Sequence, residues 1–470
     1  MDNPDSQIVL GGVGGIIEKF NWDGDLIWSF EYNEDTFRQH HDVYPISNGN
    51  VLILAASVMD AQESISLGRD PSTLPENILY NEKIIEIEPV GLNSGNIKWE
   101  WNIKDHFIQD FDITKANFGE IMSNPRKLDI NFLNDFDPNK NWLHINSIQY
   151  SESLDQIVLS SRKLSEVWVI DHSTTIEEAA SNTGGIYNHG GDFLYRWGNP
   201  KSYNLGDDTN RELYGQHTPY IIPPGMPNAG KMMIFNNGFG RIPSYSEVKI
   251  INLPINPSGV YSYSDNMPFG PDSIFFNYPS NPPIENTNFY SAIMSNAQQL
   301  PNGNILLCQS QGGNIFEINP QNDIVWNYIV PLDSDTGVSF NQGDVNLSSN
   351  LTFRAIKYDN DYPAFSNRDL TPGETLETNS GTTTDCSEIL ITTKTNHKSI
   401  SISPNPVHSS FVINIENFDN QMEVEIYDMS GKVLLKSRYK NINIENFMPG
   451  LYFVKFKLKN IVHNIKILKK

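Results

Sequence analysis

The sequence predicts an all-β protein, and three observations indicate this class. The 470 residues include 32 glycines and 28 prolines, a composition typical of chains with many tight turns. Aromatic residues make up 11% of the chain and charged residues only 19%. Asn48-Gly49 and Asn302-Gly303 each precede an apolar run, and Asn-Gly is a strong hairpin signal because both residues tolerate a positive φ. The length exceeds that of one simple core and predicts two or three folding units.

A unit made of an aromatic strand and a hairpin recurs along the chain. One copy contains the aromatic strand 26–30 and the turn and strand at 47–54, and a later copy contains the turn and strand at 300–307. Weaker copies centre on Trp99 and Trp197. Repetition of such a unit predicts a β-propeller. A β-sandwich with unrelated hairpins is the alternative.

The last part of the chain is predicted to form a separate module. Residues 399–470 contain ten Lys and Arg against six Asp and Glu, whereas the whole chain carries a formal net charge of −23. Short alternating strands separated by turns at 429–432 and 448–450 predict a small Ig-like β-sandwich. Residues 366–398 are polar, with few large apolar side chains, and are predicted to be a linker. Residues 1–365 then form the propeller.

Composition also excludes several classes of function. The acidic net charge argues against nucleic-acid binding. No apolar run reaches the roughly 18 residues of a transmembrane helix, so no transmembrane segment is predicted. The segment His40-His41-Asp42 contains residue types that bind metal ions. No cysteine or further histidine cluster completes a metal site, so no metal is predicted. Cys308 lies in an apolar strand and is predicted to be a core residue.

Three polar clusters at residues 141–147, 160–162 and 215–219 carry the chemistry of an oxyanion site. An arginine offers a fixed fork of hydrogen-bond donors, and a histidine can donate a hydrogen bond or act as a nucleophile. This combination suits sulfate or phosphate. The alternatives are a structural histidine in the last cluster and, for Arg162, a salt bridge with Glu166 at the protein surface.

The central part of the chain resembles the bacterial aryl-sulfate sulfotransferases that use no nucleotide sulfate donor. The resemblance runs from about residue 15 to residue 365, and its most specific segments are residues 141–148, 154–162, 167–175, 194–200, 215–217 and 235–238. It implies a six-bladed β-propeller that needs no cofactor. Because little chain precedes the first motif, the first blade is expected to be incomplete.

The resemblance also assigns roles to individual residues. It implies that His217 is a nucleophile that becomes transiently sulfated, that His144 and Arg162 bind the sulfate group, and that His40 or His41 protonates the leaving phenolate. The residues predicted to complete substrate binding are Asn146, Asn236, Asn237 and Arg241.

The implied reaction moves a sulfuryl group from an aryl sulfate donor to a phenolic acceptor by a ping-pong route. Met294 stands where some family members carry a hydroxyl residue, so acceptor binding is expected to differ there. The alternative function is a secreted, non-catalytic propeller that binds a sulfated or anionic ligand.

The last 70 residues resemble the C-terminal sorting domain of type IX secretion in Bacteroidetes-like bacteria. The segments that carry this resemblance are residues 403–406, 426–432, 449–452 and 466–470. It implies that the type IX secretion machinery is a partner and that the protein is secreted or held at the cell surface after passing through the periplasm. The first residues do not have the pattern of an export signal, so a truncated or wrongly assigned start is expected.

Overall fold

The computed structural model describes residues 6–134, 138–280, 289–334, 350–371, 401–414, 424–427, 432–458 and 461–470. The protein is all-β, as predicted, with antiparallel sheets and few helices. The chain divides into two compact units, Met1–Ser387 and Glu388–Lys470. The division falls inside the predicted linker 366–398, most of which lies outside the described residues. No helix in the described part of the chain is long and apolar enough to cross a membrane.

The strands of the first unit are β1 Ile16–Phe20, β2 Leu26–Glu31, β3 Phe37–Pro45, β4 Val51–Asp60, β5 Ile78–Val90, β6 Ser94–Asn102, β7 Phe107–Ile108, β8 Leu128–Asp129, β9 Ile145–Ser151, β10 Gln156–Ser161, β11 Glu166–Asp171, β12 Tyr195–Trp197, β13 His217–Ile221, β14 Met232–Asn236, β15 Glu247–Ile251, β16 Phe276–Tyr278, β17 Asn296–Gln299, β18 Ile305–Gln309, β19 Asn314–Ile318 and β20 Ile324–Ile329. Its short helices are α1 Ala61–Ser66 and α2 Ile176–Ala179, with 3₁₀ turns at Pro71–Thr73, Pro75–Asn77, Ile103–His106, Pro200–Tyr203, Asp208–Asn210 and Pro363–Phe365.

These strands form four consecutive four-stranded antiparallel meanders: β3–β6, β9–β12, β13–β16 and β17–β20. β1 and β2 form a separate two-stranded sheet, and β7 and β8 a short parallel pair. The first strands of the meanders, β3, β9, β13 and β17, are called the inner strands; they contact one another in that order. Four meanders lie within the described residues, and the predicted count of six blades stays a prediction.

Hydrophobic cores lie between successive meanders. In β10, Ile157 and Leu159 point into the core shared with the first meander, whereas Val158 points into the core shared with the third. Because successive side chains of a strand face opposite sides, a strand whose sheet is packed on both faces is buried along its length. All six residues of β10 are buried. Face-to-face packing of this kind sets the inner strands side by side.

The repeated turns found in the sequence adopt the same structure in two meanders. Gly49 and Gly303 have φ values of 94° and 91°, which favour glycine. In the first copy the amide nitrogen of Asn50 donates to Glu86 at 2.5 Å, and in the last copy Asn304 donates to Glu317 at 2.5 Å. Both predicted hairpins are therefore confirmed, and each is tied by an amide to a carboxylate of its own meander.

The second unit is β-sandwich-like. Its strands are β21 Ser401–Ser403, β22 Ser410–Asn414, β23 Val424–Tyr427, β24 Val433–Ser437, β25 Asn441–Asn443, β26 Gly450–Leu458 and β27 Ile461–Lys469. They form a three-stranded sheet, β21-β22-β25, and a four-stranded sheet, β24-β23-β26-β27. Phe411 and Ile413 of the first sheet share a core with Ile426 and Val454 of the second. The predicted Ig-like topology is finer than this description and stays a prediction.

Candidate functional site

The inner strands depart from regular β geometry where the predicted site residues lie. His41, His144, Thr218 and Met294 have φ values of 52°, 48°, 48° and 56°. Pairing of β3 with β4 shifts register between Gln39 and Val43, next to His41. Bulges and left-handed residues redirect side chains, and they concentrate at functional sites. The predicted clusters at 141–147 and 215–219 therefore lie at the irregular parts of the inner strands. Arg162 of the third cluster follows β10, and its backbone N–H donates to the carbonyl oxygen of His144 at 3.2 Å. The irregular parts and Arg162 are together called the inner-strand site.

His217 begins β13 and is held in one tautomer. Its Nδ1 lies 2.7 Å from the side-chain oxygen of Asn237. The amide nitrogen of Asn237 donates to the carbonyl oxygens of Ser291 (2.7 Å) and Met294 (2.9 Å), which fixes the amide so that its oxygen faces the histidine. Nδ1 of His217 therefore carries the proton. The lone pair on Nε2 accepts a hydrogen bond from the backbone N–H of Met294 at 3.1 Å.

Three more histidines form a continuous row. Nδ1 of His40 lies 2.8 Å from Nδ1 of His41, and Nε2 of His41 lies 3.1 Å from Nε2 of His144. His40 is fully buried, whereas His41 and His144 are partly exposed. Adjacent residues of a regular strand face opposite sides. The left-handed φ of His41 breaks that alternation, so the rings of both histidines lie in one row, and His41 is the one of the two that is partly exposed.

Arg162 supplies positive charge without a carboxylate partner among the described residues. It starts the turn between β10 and β11, and its guanidinium stacks on the Phe239 ring at 4.6 Å from the ring centroid. The alternative salt bridge with Glu166 does not form, because Glu166 pairs with the buried Arg196 through an Nε–Oε1 contact of 3.0 Å. An arginine that is largely withdrawn from water and unpaired is suited to binding an anion.

Burial and this arginine keep His41, His144 and His217 neutral. Burial lowers the pKa of His217 to about 3, and the charge of Arg162 adds to the shift. The pKa values of His41 and His144 are also lowered, first by burial and then by neighbouring positive groups that include Arg162. A neutral imidazole keeps a lone pair, which a nucleophile needs.

The remaining predicted residues fall into two groups. Asn146 donates from its amide nitrogen to the Gln216 carbonyl oxygen at 2.8 Å, and Asn237 holds His217, so both lie at the site. Asn236 donates to Glu247 at 2.9 Å, and Nη1 of Arg241 lies 2.6 Å from the same carboxylate. The structure places the latter pair in a separate network around Glu247. A role for them in substrate binding stays a prediction.

Sequence reasoning missed four contributors. Glu82 of β5 is buried, and its Oε2 lies 2.8 Å from Nε2 of His40, although the angle is too bent for an aligned hydrogen bond. Asn141 lies 2.8 Å from His144, through its Nδ2 and the ring Nδ1. Arg354 pairs with Asp42 at 2.7 Å, and its charge contributes to the lowered pKa of His217. A Cβ added at Gly12, where φ is 76°, would lie 2.5 Å from the His41 ring.

Asn141 could have been identified from the sequence, since it belongs to the same cluster as His144. Glu82, Arg354 and Gly12 lie far from that cluster in the chain, and no local pattern connects them to it.

Other sequence predictions concern residues outside the site. Cys308 is a buried free thiol, as predicted. The described residues contain no group of three His, Cys, Asp or Glu side chains placed to hold a metal ion. His172 lies between Asp155 and Glu86, 2.7 Å and 3.1 Å away.

Two family models match the chain. The family model described as Arylsulfotransferase (ASST) matches residues 2–341, and the model of the secretion system C-terminal sorting domain matches residues 401–470. The sorting domain of type IX secretion indicates that the protein is secreted or located at the cell surface. No curated protein matches the chain.

Similar solved structures include a Bacteroides caccae protein of unknown function, with 11% identity, coverage of 66% of this chain and 74% of that chain, and a TM-score of 0.33. Virginiamycin B lyase from Staphylococcus aureus has 9% identity, coverage of 92% and 85%, and a TM-score of 0.27. A putative 6-phosphogluconolactonase from Bacteroides fragilis has 10% identity, coverage of 98% and 96%, and a TM-score of 0.29. Likenesses this weak carry no argument about fold or function.

Proposed function

The chain belongs to the arylsulfotransferase family, and on that premise we propose that it transfers a sulfuryl group from a phenolic sulfate ester to a phenol through a sulfohistidine at His217. The observation that carries the proposal is the state of this histidine. It is neutral, its proton is fixed on Nδ1 by Asn237, and its Nε2 lone pair lies in a site that also holds Arg162. Nucleophilic histidines need this combination of tautomer and charge.

In the first half-reaction Nε2 of His217 attacks sulfur and the phenolate leaves. Attack requires that Nε2 exchange the hydrogen bond from the Met294 N–H for the bond to sulfur. The released N–H is then available to donate to a sulfuryl oxygen. Arg162 and His144 bind the other oxygens, where negative charge gathers in the transition state.

His41 is the acid for the leaving phenolate in this scheme, because it is the member of the His40–His41 pair that is partly exposed at the site. In the second half-reaction a phenol takes the sulfuryl group and gives its proton back to the same histidine. General acid–base help of this kind contributes roughly 10²–10⁴-fold.

The meanders are proposed to be blades of a propeller whose inner strands surround this site. Export is proposed to follow the type IX route through the periplasm, with the secretion machinery reading the C-terminal domain.

The test uses a coloured aryl sulfate with and without a phenol acceptor. We expect phenol release to depend on the acceptor. Intact-protein mass spectrometry after quenching with donor alone should show one added SO₃ on the wild type and none on His217→Ala. If His217→Ala retained full sulfuryl transfer, the sulfohistidine mechanism would be wrong. Binding of the aryl sulfate without any turnover would favour the alternative of a non-catalytic anion-binding protein.

A further inference from the structure

Glu82 and the row of histidines make up one chain of contacts that starts at the site and ends in the protein interior. From the outside inward, Nε2 of His144 lies 3.1 Å from Nε2 of His41, and Nδ1 of His41 lies 2.8 Å from Nδ1 of His40. Nε2 of His40 lies 2.8 Å from Oε2 of Glu82. His40 is 0% exposed and Glu82 is 1% exposed. A proton that leaves His41 through Nδ1 therefore has His40 as its acceptor. A proton that leaves His40 through Nε2 has Glu82 as its acceptor.

The protons along this chain can be assigned from its outer end. The amide nitrogen of Asn141 faces Nδ1 of His144 at 2.8 Å, so that ring nitrogen accepts and the proton of His144 is on Nε2. Nε2 of His41 must then accept from His144, which puts the proton of His41 on Nδ1. By the same step the proton of His40 is on Nε2, facing Glu82. These positions describe the relay with Glu82 ionised, and its last contact, from Nε2 of His40 to Oε2 of Glu82, is short but bent.

We propose that Glu82 and His40 store the proton that passes between the two phenolic oxygens of the transfer reaction. The inference rests on the proposed function and adds to it. It gives Glu82, which touches no substrate, the role of a relay residue behind His41.

The donor half-reaction starts from the other state of the relay, in which Glu82 is protonated, the proton of His40 is on Nδ1 and the proton of His41 is on Nε2. The N–S bond to His217 forms and the S–O bond to the aryl group breaks, with its electron pair going to the aryl oxygen. That oxygen replaces His144 as the partner of His41 and takes a proton from its Nε2. His41 regains a proton at Nδ1 from His40, and His40 regains one at Nε2 from the carboxyl group of Glu82, which is left ionised.

The acceptor half-reaction reverses each transfer. The phenol gives its proton to Nε2 of His41, the Nδ1 proton of His41 moves to His40, and the Nε2 proton of His40 moves to Glu82. The phenolic oxygen bonds to sulfur as the N–S bond breaks, and Nε2 of His217 recovers its lone pair. One turnover therefore exchanges no proton with water, which suits a carboxylate that water does not reach.

A purely structural role for Glu82 is the competing explanation. Its Oε1 accepts the backbone N–H of Ile145 at 3.2 Å, next to His144, so loss of the side chain would also disturb β9. The test must therefore separate a lost proton from a displaced strand. Glu82→Gln keeps the shape and an acceptor oxygen but cannot store a proton.

The experiment compares Glu82→Gln with the wild type on 4-nitrophenyl sulfate and phenyl sulfate. 4-Nitrophenolate leaves without protonation, whereas phenolate needs a proton. We expect the variant to lose less than about tenfold on the first donor and roughly 10²–10⁴-fold on the second. A structural lesion would slow both donors equally, and that parallel loss would overturn the proposal.

Glu86→Gln is the matched control. Glu86 lies on the same strand and also contacts a histidine, His172, but outside the site. Its replacement should leave the ratio of the two rates unchanged. If Glu82→Gln does not fold, His40→Gln breaks the relay one link earlier and makes the same comparison.

Mass spectrometry distinguishes failure of the proton relay from failure of the proposed transfer reaction. Glu82→Gln should still acquire SO₃ on His217 from 4-nitrophenyl sulfate. A wild type that never becomes sulfated would overturn the proposed function and the relay together, whereas a sulfated variant with a parallel loss of both rates would overturn the relay alone.

Discussion

Two histidine environments on one strand reach opposite charge states. Glu82 and Glu86, four residues apart on β5, each contact a histidine: His40 in the inner-strand site and His172 outside it. His172 lies between two carboxylates, and although burial alone would lower its pKa, the hydrogen bonds to Asp155 and Glu86 raise it to about 9. The site histidines His41, His144 and His217 have pKa values below the usual range.

The difference shows that burial alone does not set the charge of these histidines. Burial acts on both groups in the same direction. At His172 two carboxylates outweigh it, whereas at the site a cation, Arg162, adds to it. One environment stabilises a charged imidazolium, and the other keeps its rings neutral.

The largest effect is expected from removing the cation of the site. Arg162→Ala should lower kcat/KM by about 10²–10³, since it removes donors that bind the sulfate oxygens in the transition state. Loss of its charge should also let the pKa of His217 rise from about 3, so the acidic limb of the rate profile should move to higher pH. The measurement is kcat/KM from about pH 2.5 to pH 8, a range that includes the wild-type limb.

Arg162→Lys separates the effect on sulfate binding from the effect on the pKa of His217, because it keeps the positive charge and loses the planar set of guanidinium donors. It should retain the wild-type acidic limb while losing part of the rate. An acidic limb that does not move in Arg162→Ala would show that the arginine does not control the charge of the histidines.

A smaller effect should follow from giving a site histidine the environment of His172. In Asn141→Asp a carboxylate would face Nδ1 of His144, which now faces an amide nitrogen. An opposite charge at that distance raises a histidine pKa by roughly 1–3 units. NMR titration of the histidine ring signals should show the rise, with Asn141→Ala as the uncharged control. An equal shift in both variants would argue that the amide, and not charge, sets the pKa of His144.

The sequence predicted the all-β class and both Asn-Gly hairpins, where the signal is local: a turn dipeptide and an apolar strand. The structure brings His144, Arg162 and His217 to one region, and their roles stay predictions. The sequence could not separate His40 from His41, because the left-handed φ of His41 that places both rings in one row has no local signal. Glu82 reaches His40 only through the pairing of β3, β4 and β5, and no local pattern encodes that register.

Asn236 and Arg241 show how little a matched segment says about the direction of a single side chain. Both were predicted to help bind the substrate, and in the structure their side chains contact Glu247. Neighbours in sequence on a strand face different sides, so a matched segment identifies a place in the fold better than it identifies each side chain that points into the site.

The smallest effect concerns stability at the structural histidine. The folded-state pKa of His172 is about 9 against an unfolded value of 6.5, so its stabilisation is complete below pH 6.5 and is lost as pH rises through about 9. The side chain of Asp155 is 39% exposed, so solvent screening reduces the contribution to roughly 1–2 kcal/mol. Glu86→Gln should therefore lower the melting temperature at pH 7 by a few degrees and flatten its decline between pH 7 and pH 10. Calorimetry at several pH values measures both. A variant whose melting temperature still falls as steeply as the wild type would mean that this histidine is not charged in the folded protein, and the contrast between the two environments of β5 would disappear.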